Sequence, residues 1–196
     1  MKQRMVATFL GLASACGSAP AETTQTENPA QTRNEGMEND EAIRPLGIIN
    51  EMHPSPSLVT GGQPSQAQFH QAATQVRTVI NLRAEGEDGV DTESAQVEAL
   101  GMNYVSIPMR GAAGVTEANA RLLDRTLGVS GPTLLHCGSG NRVGALLALR
   151  AFYVGGVSPA EALATGRVGG LTSLEQTVTQ HLAAACDDDA YLGQCN

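Results

Sequence analysis

A chain of 196 residues is long enough for one domain of ordinary size with its own core, and two domains would be cramped. Its formal charge of -8, without any basic stripe, argues against nucleic acid as a partner. Hydrophobic residues make up 41% of the chain but aromatic residues only 3%, so aliphatic side chains and alanine must build the core.

The first fifteen residues are predicted to be a targeting segment outside the fold, because a positively charged start precedes an apolar stretch too short to span a bilayer. The residues around Cys16 resemble a lipobox, in which this cysteine becomes the lipidated end of a periplasmic, membrane-anchored lipoprotein. A conventional signal-peptidase site at residues 19–21 is the alternative. Residues 16–42 have few apolar side chains, which predicts a disordered tether.

Strands and helices are expected to alternate through the remaining domain, residues 43–196. Short apolar or β-branched runs between breakers predict strands, and capping residues followed by apolar side chains at helical spacing predict helices. The predicted strands cover residues 58–60, 76–82, 102–107 and 131–135. The predicted helices begin near Gln63 and Ser173 and, between these two, at Thr92, Thr116, Val143 and Ser158. This alternation predicts an α/β fold with its site at the carboxyl ends of the strands.

Cys137 lies where the last predicted strand meets a helix, on a turn that contains two glycines. The unpaired amides and the positive dipole end of a helix stabilise an anion, so a thiolate is favoured there. The glycines allow backbone angles closed to other residues, and Arg142 adds a planar guanidinium. A nucleophilic cysteine beside an anion-binding loop is therefore predicted. The predicted phosphate-binding residues are Gly138, Ser139, Gly140, Asn141 and Arg142.

The stretch from His136 to Leu146 resembles the phosphate-binding loop of the cysteine-dependent protein tyrosine and dual-specificity phosphatases. More narrowly, it resembles the bacterial beta-lactamase-hydrolase-like phosphatase domain family, and residues 61–65, 79–85 and 104–108 agree with that family. The resemblance implies a single three-layer α/β/α domain around a mostly parallel sheet of four to five strands. It also implies a cofactor-free hydrolase that takes an anionic phosphate ester and forms a phosphocysteine on Cys137.

Two departures from the phosphatase signature leave other functions open. Four residues, rather than five, separate Cys137 from Arg142, and Val143 replaces the usual hydroxyl residue after the arginine. The shorter loop resembles that of rhodanese-like sulfurtransferases, whose cysteine carries a persulfide. A non-catalytic anion-binding module is the third possibility, because the aspartate expected after the strand that ends at Pro108 is missing from residues 109–114.

Glu117 and Glu85 are the candidates for the missing general acid. Glu117 falls in the first turn of a predicted helix, where an acid also compensates the helix dipole. Glu85 shares the loop after Leu82 with Glu87 and Asp88, which are rivals for the same role, although such an acidic loop is equally typical of a solvated surface. Two arginines, at positions 83 and 110, are candidates for binding the substrate anion.

The remaining cysteines, Cys186 and Cys195, are expected to form a disulfide in an oxidising compartment, once Cys16 and Cys137 have been assigned. The four histidines show no spacing typical of metal ligands, so no metal site is predicted.

Overall fold

The computed structural model describes residues 42–195. The predicted targeting segment, Cys16 and all but the last residue of the predicted tether lie outside the described residues. Within residues 42–195, no helix combines the length and the apolar character that crossing a bilayer requires.

Five strands form one sheet in the order β1-β2-β5-β3-β4. Neighbouring strands are parallel except for β1, which pairs antiparallel with β2 at the edge. The strands are β1 Met52–Ser55, β2 Leu58–Gly61, β3 Thr78–Asn81, β4 Asn103–Ser106 and β5 Thr133–His136. The mostly parallel sheet confirms the expected α/β class. The sequence did not predict β1, since its four residues are exposed or half-buried and carry no apolar alternation.

Six α-helices connect and follow the strands within the described chain: α1 Gln66–Ala72, α2 Val90–Ala99, α3 Glu117–Ser130, α4 Asn141–Tyr153, α5 Pro159–Val168 and α6 Glu175–Cys186. Two short 3-10 turns, Gly111–Gly114 and Leu192–Gln194, lie before α3 and after α6. The predicted caps of α3 and α5 are correct, because the side chains of Thr116 and Ser158 each accept a hydrogen bond from the first turn.

Four predicted helix starts differ from the structure by two or three residues. Helix α4 begins at Asn141 rather than at Val143, and α6 at Glu175 rather than near Ser173. Helix α1 begins after Ser65 rather than at Gln63, because Ser65 and Gln68 form a capping box. Helix α2 begins after Gly89 rather than at Thr92, whose hydroxyl lies within the first turn and donates to the Gly89 carbonyl at 3.2 Å. A left-handed glycine at the helix start leaves no side-chain signal in the sequence.

Helices cover both faces of the sheet and so produce three layers. Val79 and Leu134 face one side, where they pack in a core with residues of α1 and α2. The next residue along each strand, Ile80 and Leu135, faces the other side, where α3, α4, α5 and α6 contribute to a larger core. This arrangement confirms the predicted three-layer α/β/α domain.

The strand register places the carboxyl ends of the four parallel strands at the same end of the sheet. Asn81 on β3 is opposite both His136 on β5 and Ser106 on β4, and His136 is also opposite Gly61 on β2. The loops that follow these four strands therefore meet at this end of the sheet. Strand β5 lies in the middle of the sheet.

Candidate active site

Cys137 directly follows the central strand β5 and lies three residues before Gly140, the N-cap of α4. The residue is buried, with 1% of its surface exposed, and its backbone N–H donates to the Gly61 carbonyl at 3.3 Å. Its Sγ accepts a hydrogen bond from the backbone N–H of Gly140 at 3.1 Å. Gly140 caps the helix with φ of 87°, a left-handed conformation that favours glycine. The thiol therefore meets a helix N-terminus.

Residues outside the loop donate hydrogen bonds to two of its carbonyls. These bonds orient two backbone N–H groups toward the centre of the loop. The Gly138 carbonyl accepts from the backbone of Gln63 at 3.3 Å, and the Ser139 carbonyl accepts from the Asn50 side chain at 3.1 Å. In a trans peptide, the N–H of the next residue points the opposite way. The N–H groups of Ser139 and Gly140 are thus directed toward the centre of the loop, where Sγ lies.

Asn141 contributes differently from the glycines. Its side-chain oxygen accepts the backbone N–H of Thr172 at 2.8 Å, and its amide donates to the Ser173 hydroxyl at 2.7 Å. The side chain is therefore used to fix the α5–α6 connection beside the loop.

Glu87 holds Arg142 in a bidentate ion pair. The two terminal nitrogens of the guanidinium lie 2.5 and 2.7 Å from the two carboxylate oxygens, and Nη1 also donates to the Met109 carbonyl at 2.9 Å. The hydrogen bond from Arg142 is the main cause that lowers the pKa of Glu87 to about 2. Glu87 is consequently ionised near neutral pH, so it orients the arginine and has no proton to donate. The sequence placed Glu87 among the rival general acids or the solvated loop acids and missed this role.

A buried network of three charged or titratable side chains lies beneath the loop. Glu93 binds His136 Nε2 at 3.0 Å through one oxygen and Arg83 Nη2 at 2.5 Å through the other. All three side chains are at most 3% exposed. Arg83 also donates to the Asp88 carbonyl at 2.6 Å, and so holds the loop that carries Glu87. The interpretation of Arg83 as a substrate ligand is wrong, because its guanidinium is buried against Glu93.

The candidate acids lie in different surroundings. Glu117 accepts hydrogen bonds from Arg121 at 2.7 Å and from the Tyr191 hydroxyl at 3.0 Å. Glu85 is exposed and lines a cavity of about 390 Å³ formed by the β3–α2 and β4–α3 connections. The same two connections supply Glu87 and the Met109 carbonyl to Arg142. Which of the two donates a proton stays a prediction.

The C-terminal cysteines are joined in the structure, with 5.8 Å between the Cα atoms of Cys186 and Cys195. Tyr191, inside the loop that this bond closes, packs against Phe152 and Tyr153 of α4. The disulfide thus holds the last turn against α4. In the described part of the chain, no cluster of three or more His, Cys, Asp or Glu side chains could hold a metal ion.

A buried cysteine after the central parallel strand, with helix amides and an oriented arginine around it, defines a phosphatase-like domain of the protein tyrosine phosphatase type. The chain belongs to the family described as beta-lactamase hydrolase-like protein, phosphatase-like domain, whose sequence model matches residues 53–152. This match confirms the narrower resemblance found in the sequence.

Known proteins agree with this assignment. A beta-lactamase hydrolase-like protein from Xylella fastidiosa (strain Temecula1) is 34% identical over 119 residues, which are 58% of this chain but only 27% of the relative. TpbA from P. aeruginosa matches with a TM-score of 0.57 and 24% identity, over 80% of this chain and 96% of TpbA. Tk-PTP in its active form matches with a TM-score of 0.53 and 19% identity, over 68% of this chain and 96% of Tk-PTP. At these identities the two solved structures show the common fold.

Proposed function

We propose that this domain is a cysteine-dependent phosphatase that forms a phosphocysteine on Cys137. The observation that carries the proposal is the pairing of Sγ with the Gly140 amide at 3.1 Å, at the start of a helix whose Arg142 is oriented by Glu87. A second TpbA structure was solved in complex with pTyr, which supports a phosphorylated, anionic substrate for this domain.

The reaction proceeds in two displacements. The phosphoryl oxygens accept hydrogen bonds from the loop amides and from the guanidinium N–H groups that face the loop, while the Cys137 thiolate attacks phosphorus. The bond between phosphorus and the ester oxygen breaks, and that oxygen keeps the electron pair and takes a proton from the general acid. Water then attacks the phosphocysteine and gives a proton to the carboxylate of the general acid. The phosphorus–sulfur bond breaks with its electron pair on sulfur, and inorganic phosphate leaves with the thiolate restored.

Trapping the covalent intermediate tests this chemistry. Purified protein mixed with an aryl phosphate and quenched in acid should yield a phosphorylated peptide that contains Cys137. Cys137→Ser should abolish turnover, since a hydroxyl stays protonated near neutral pH, but it should keep its affinity for inorganic phosphate. Turnover that persists in this variant would contradict covalent catalysis.

Glu85 is the better candidate for the general acid, because it lines the cavity between the two connections that contact Arg142, while Glu117 is bonded to Arg121 and Tyr191. Removing a general acid costs about 100-fold or more when the leaving group is a poor one. We expect Glu85→Gln to slow phenyl phosphate hydrolysis by that factor and to change dinitrophenyl phosphate hydrolysis little. Glu117→Gln is the matched comparison, and selective loss in that variant would transfer the role to Glu117.

The second candidate function is a rhodanese-like sulfurtransferase. Three observations favour it: the four-residue spacing from Cys137 to Arg142, Val143 after the arginine, and no carboxylate in residues 109–114. In this reaction the thiolate takes the outer sulfur of thiosulfate and sulfite leaves; cyanide then removes that sulfur as thiocyanate. Thiocyanate formation without aryl phosphate hydrolysis would establish this alternative. Phosphate binding without either turnover would establish the anion-binding module.

We also propose that the mature protein is a periplasmic lipoprotein anchored through Cys16, on the basis of the lipobox-like sequence around it. Mass spectrometry of the mature N-terminus is expected to find a lipidated cysteine. An unmodified N-terminus that begins at Glu22 would contradict the anchor and favour ordinary secretion.

A further inference from the structure

We propose that the cavity beside Arg142 is a leaving-group subsite for a small, non-aromatic phosphate ester that carries a second acidic group, which binds Arg110. This inference rests on the proposed phosphatase function and names the substrate class for the same site. The cavity lies between the β3–α2 and β4–α3 connections and is lined by Ala84, Glu85, Pro108, Arg110, Ala113, Gly114 and Asn119.

Hydrogen bonds connect the cavity walls to the phosphate-binding arginine. Met109, between two lining residues, accepts Arg142 Nη1 at 2.9 Å, and the Ala84 backbone donates to Glu87 Oε1 at 2.6 Å. Glu87 is the carboxylate that pairs with Arg142. A phosphoryl group held by Arg142 would thus have the rest of its molecule next to this cavity.

The lining suits a small, polar leaving group. A volume of about 390 Å³ is at the lower end of the range for small-molecule pockets. The lining contains alanine, glycine and proline with three polar side chains, and no aromatic ring among the described residues faces it. An aromatic leaving group would therefore lack the ring contacts that usually stabilise it.

Arg110 is available for a second anion. It is exposed, and within residues 42–195 no hydrogen bond or ion pair holds its guanidinium. The same is true of Glu85, the other charged residue of the lining. A free guanidinium is suited to a carboxylate or a phosphate. The lining therefore fits an ester with an additional acidic group.

The wall that carries Arg110 is rigid. The Asn119 side chain donates to the Gly114 carbonyl at 2.9 Å and so closes the 3-10 turn at Gly111–Gly114. A Cβ added at Gly114 would lie 2.6 Å from the Cβ of Met109, so the turn packs directly on the residue that contacts Arg142. Because this wall is preorganised, ligand binding does not have to order it.

Binding measurements on the full chain with Cys137→Ser test the subsite without turnover. 3-Phosphoglycerate and glycerol 3-phosphate form a matched pair, because a carboxylate in the first replaces a hydroxymethyl group in the second. By calorimetry we expect 3-phosphoglycerate to bind about tenfold more tightly, in keeping with one partly exposed charge-assisted contact. Phenyl phosphate should bind no more tightly than glycerol 3-phosphate. Equal affinities for the matched pair, or tighter phenyl phosphate binding, would overturn the proposal.

Two arginine variants assign the preference to a residue. Arg110→Gln should reduce the tenfold preference to about twofold or less. Arg125→Gln removes the same charge from an exposed position on α3, outside the cavity, and should keep the preference. A preference that survives in Arg110→Gln would contradict the assignment.

Turnover of the wild-type protein separates this inference from the function on which it rests. Hydrolysis of both esters without a preference would overturn the subsite and leave the phosphatase in place. A binding preference with no hydrolysis of any ester would support the Arg110 anion site and contradict the phosphatase.

Discussion

Replacing Glu93 with Gln tests the buried network beneath Cys137. The residue is 2% exposed and contacts Arg83 and His136, at 2.5 and 3.0 Å. The substitution preserves size but leaves the guanidinium buried without its counter-ion, which typically costs about 3 to 5 kcal/mol. The amide oxygen keeps one acceptor, so we expect about 3 kcal/mol. That loss is a large share of the roughly 5 to 15 kcal/mol that stabilises a domain.

Urea unfolding followed by circular dichroism measures this loss. With a slope of about 2 kcal/mol per molar urea, the midpoint at pH 7 should fall by about 1.5 M. Glu98→Gln removes the same charge from an exposed position on the same helix and should stay within about 0.5 kcal/mol of the wild type. Equal shifts in the two variants would refute the argument from burial.

The pH dependence provides an independent check. Burial alone raises the pKa of Glu93, but hydrogen bonds and charges from His136 and Arg83 outweigh it, so the net pKa lies below the ordinary value of 4.5. A depressed pKa means that the ionised carboxylate contributes stability above pH 4.5 and loses it as the pH falls below that value. The difference between wild type and Glu93→Gln should therefore shrink in acid. A constant difference from pH 7 to pH 3 would contradict the ionic origin.

Three further predictions concern Glu87, the α4 glycine and the disulfide. Glu87→Gln should lower kcat/KM for an aryl phosphate about tenfold, because Arg142 loses the carboxylate that orients it. In the wild type, the ion pair of Glu87 with Arg142 should persist above pH 4.5 and be lost only as the pH falls toward the Glu87 pKa of about 2. Gly144→Ala should lower the unfolding free energy by about 2 kcal/mol or more, because its Cβ would lie 2.0 Å from a backbone nitrogen after α5, whereas Gly128→Ala, with nothing within 4 Å, should be neutral or stabilising. Replacing Cys186 and Cys195 together with Ser should cost about 2 to 3 kcal/mol in urea unfolding, and no change in midpoint would contradict a stabilising cross-link.

The elements that the sequence predicted are those with local signals. Capping side chains at Thr116 and Ser158 mark helix starts, and the apolar run before Cys137 predicted the central strand. These signals depend on neighbours within a few residues, so periodicity and propensity are enough to find them. Strand β1 was missed because it is an edge strand that the register with β2 specifies, and its own residues carry no pattern.

The chemistry around Cys137 could be predicted only in part, because its support comes from far along the chain. The loop and Arg142 are contiguous in sequence, and their residue types alone indicated an anion site. The contact of Glu87 with Arg142 spans 55 positions, and that of Glu93 with His136 spans 43. A glutamate in a loop or a first helical turn has the same local signature whether it is solvated or buried against a partner.

Close packing of α4 against the chain after α5 has a consequence for motion. Gly144 leaves no room for a side chain there, and Asn141 is bonded to residues 172 and 173. Helix α4 and the α5–α6 connection therefore behave as one rigid unit. The turn at Gly111–Gly114 is also held in place, so any closure over a bound ester has to come from residues 84–89. Glu87 links this segment to the arginine that also meets the phosphate, so binding at Arg142 would act directly on residues 84–89.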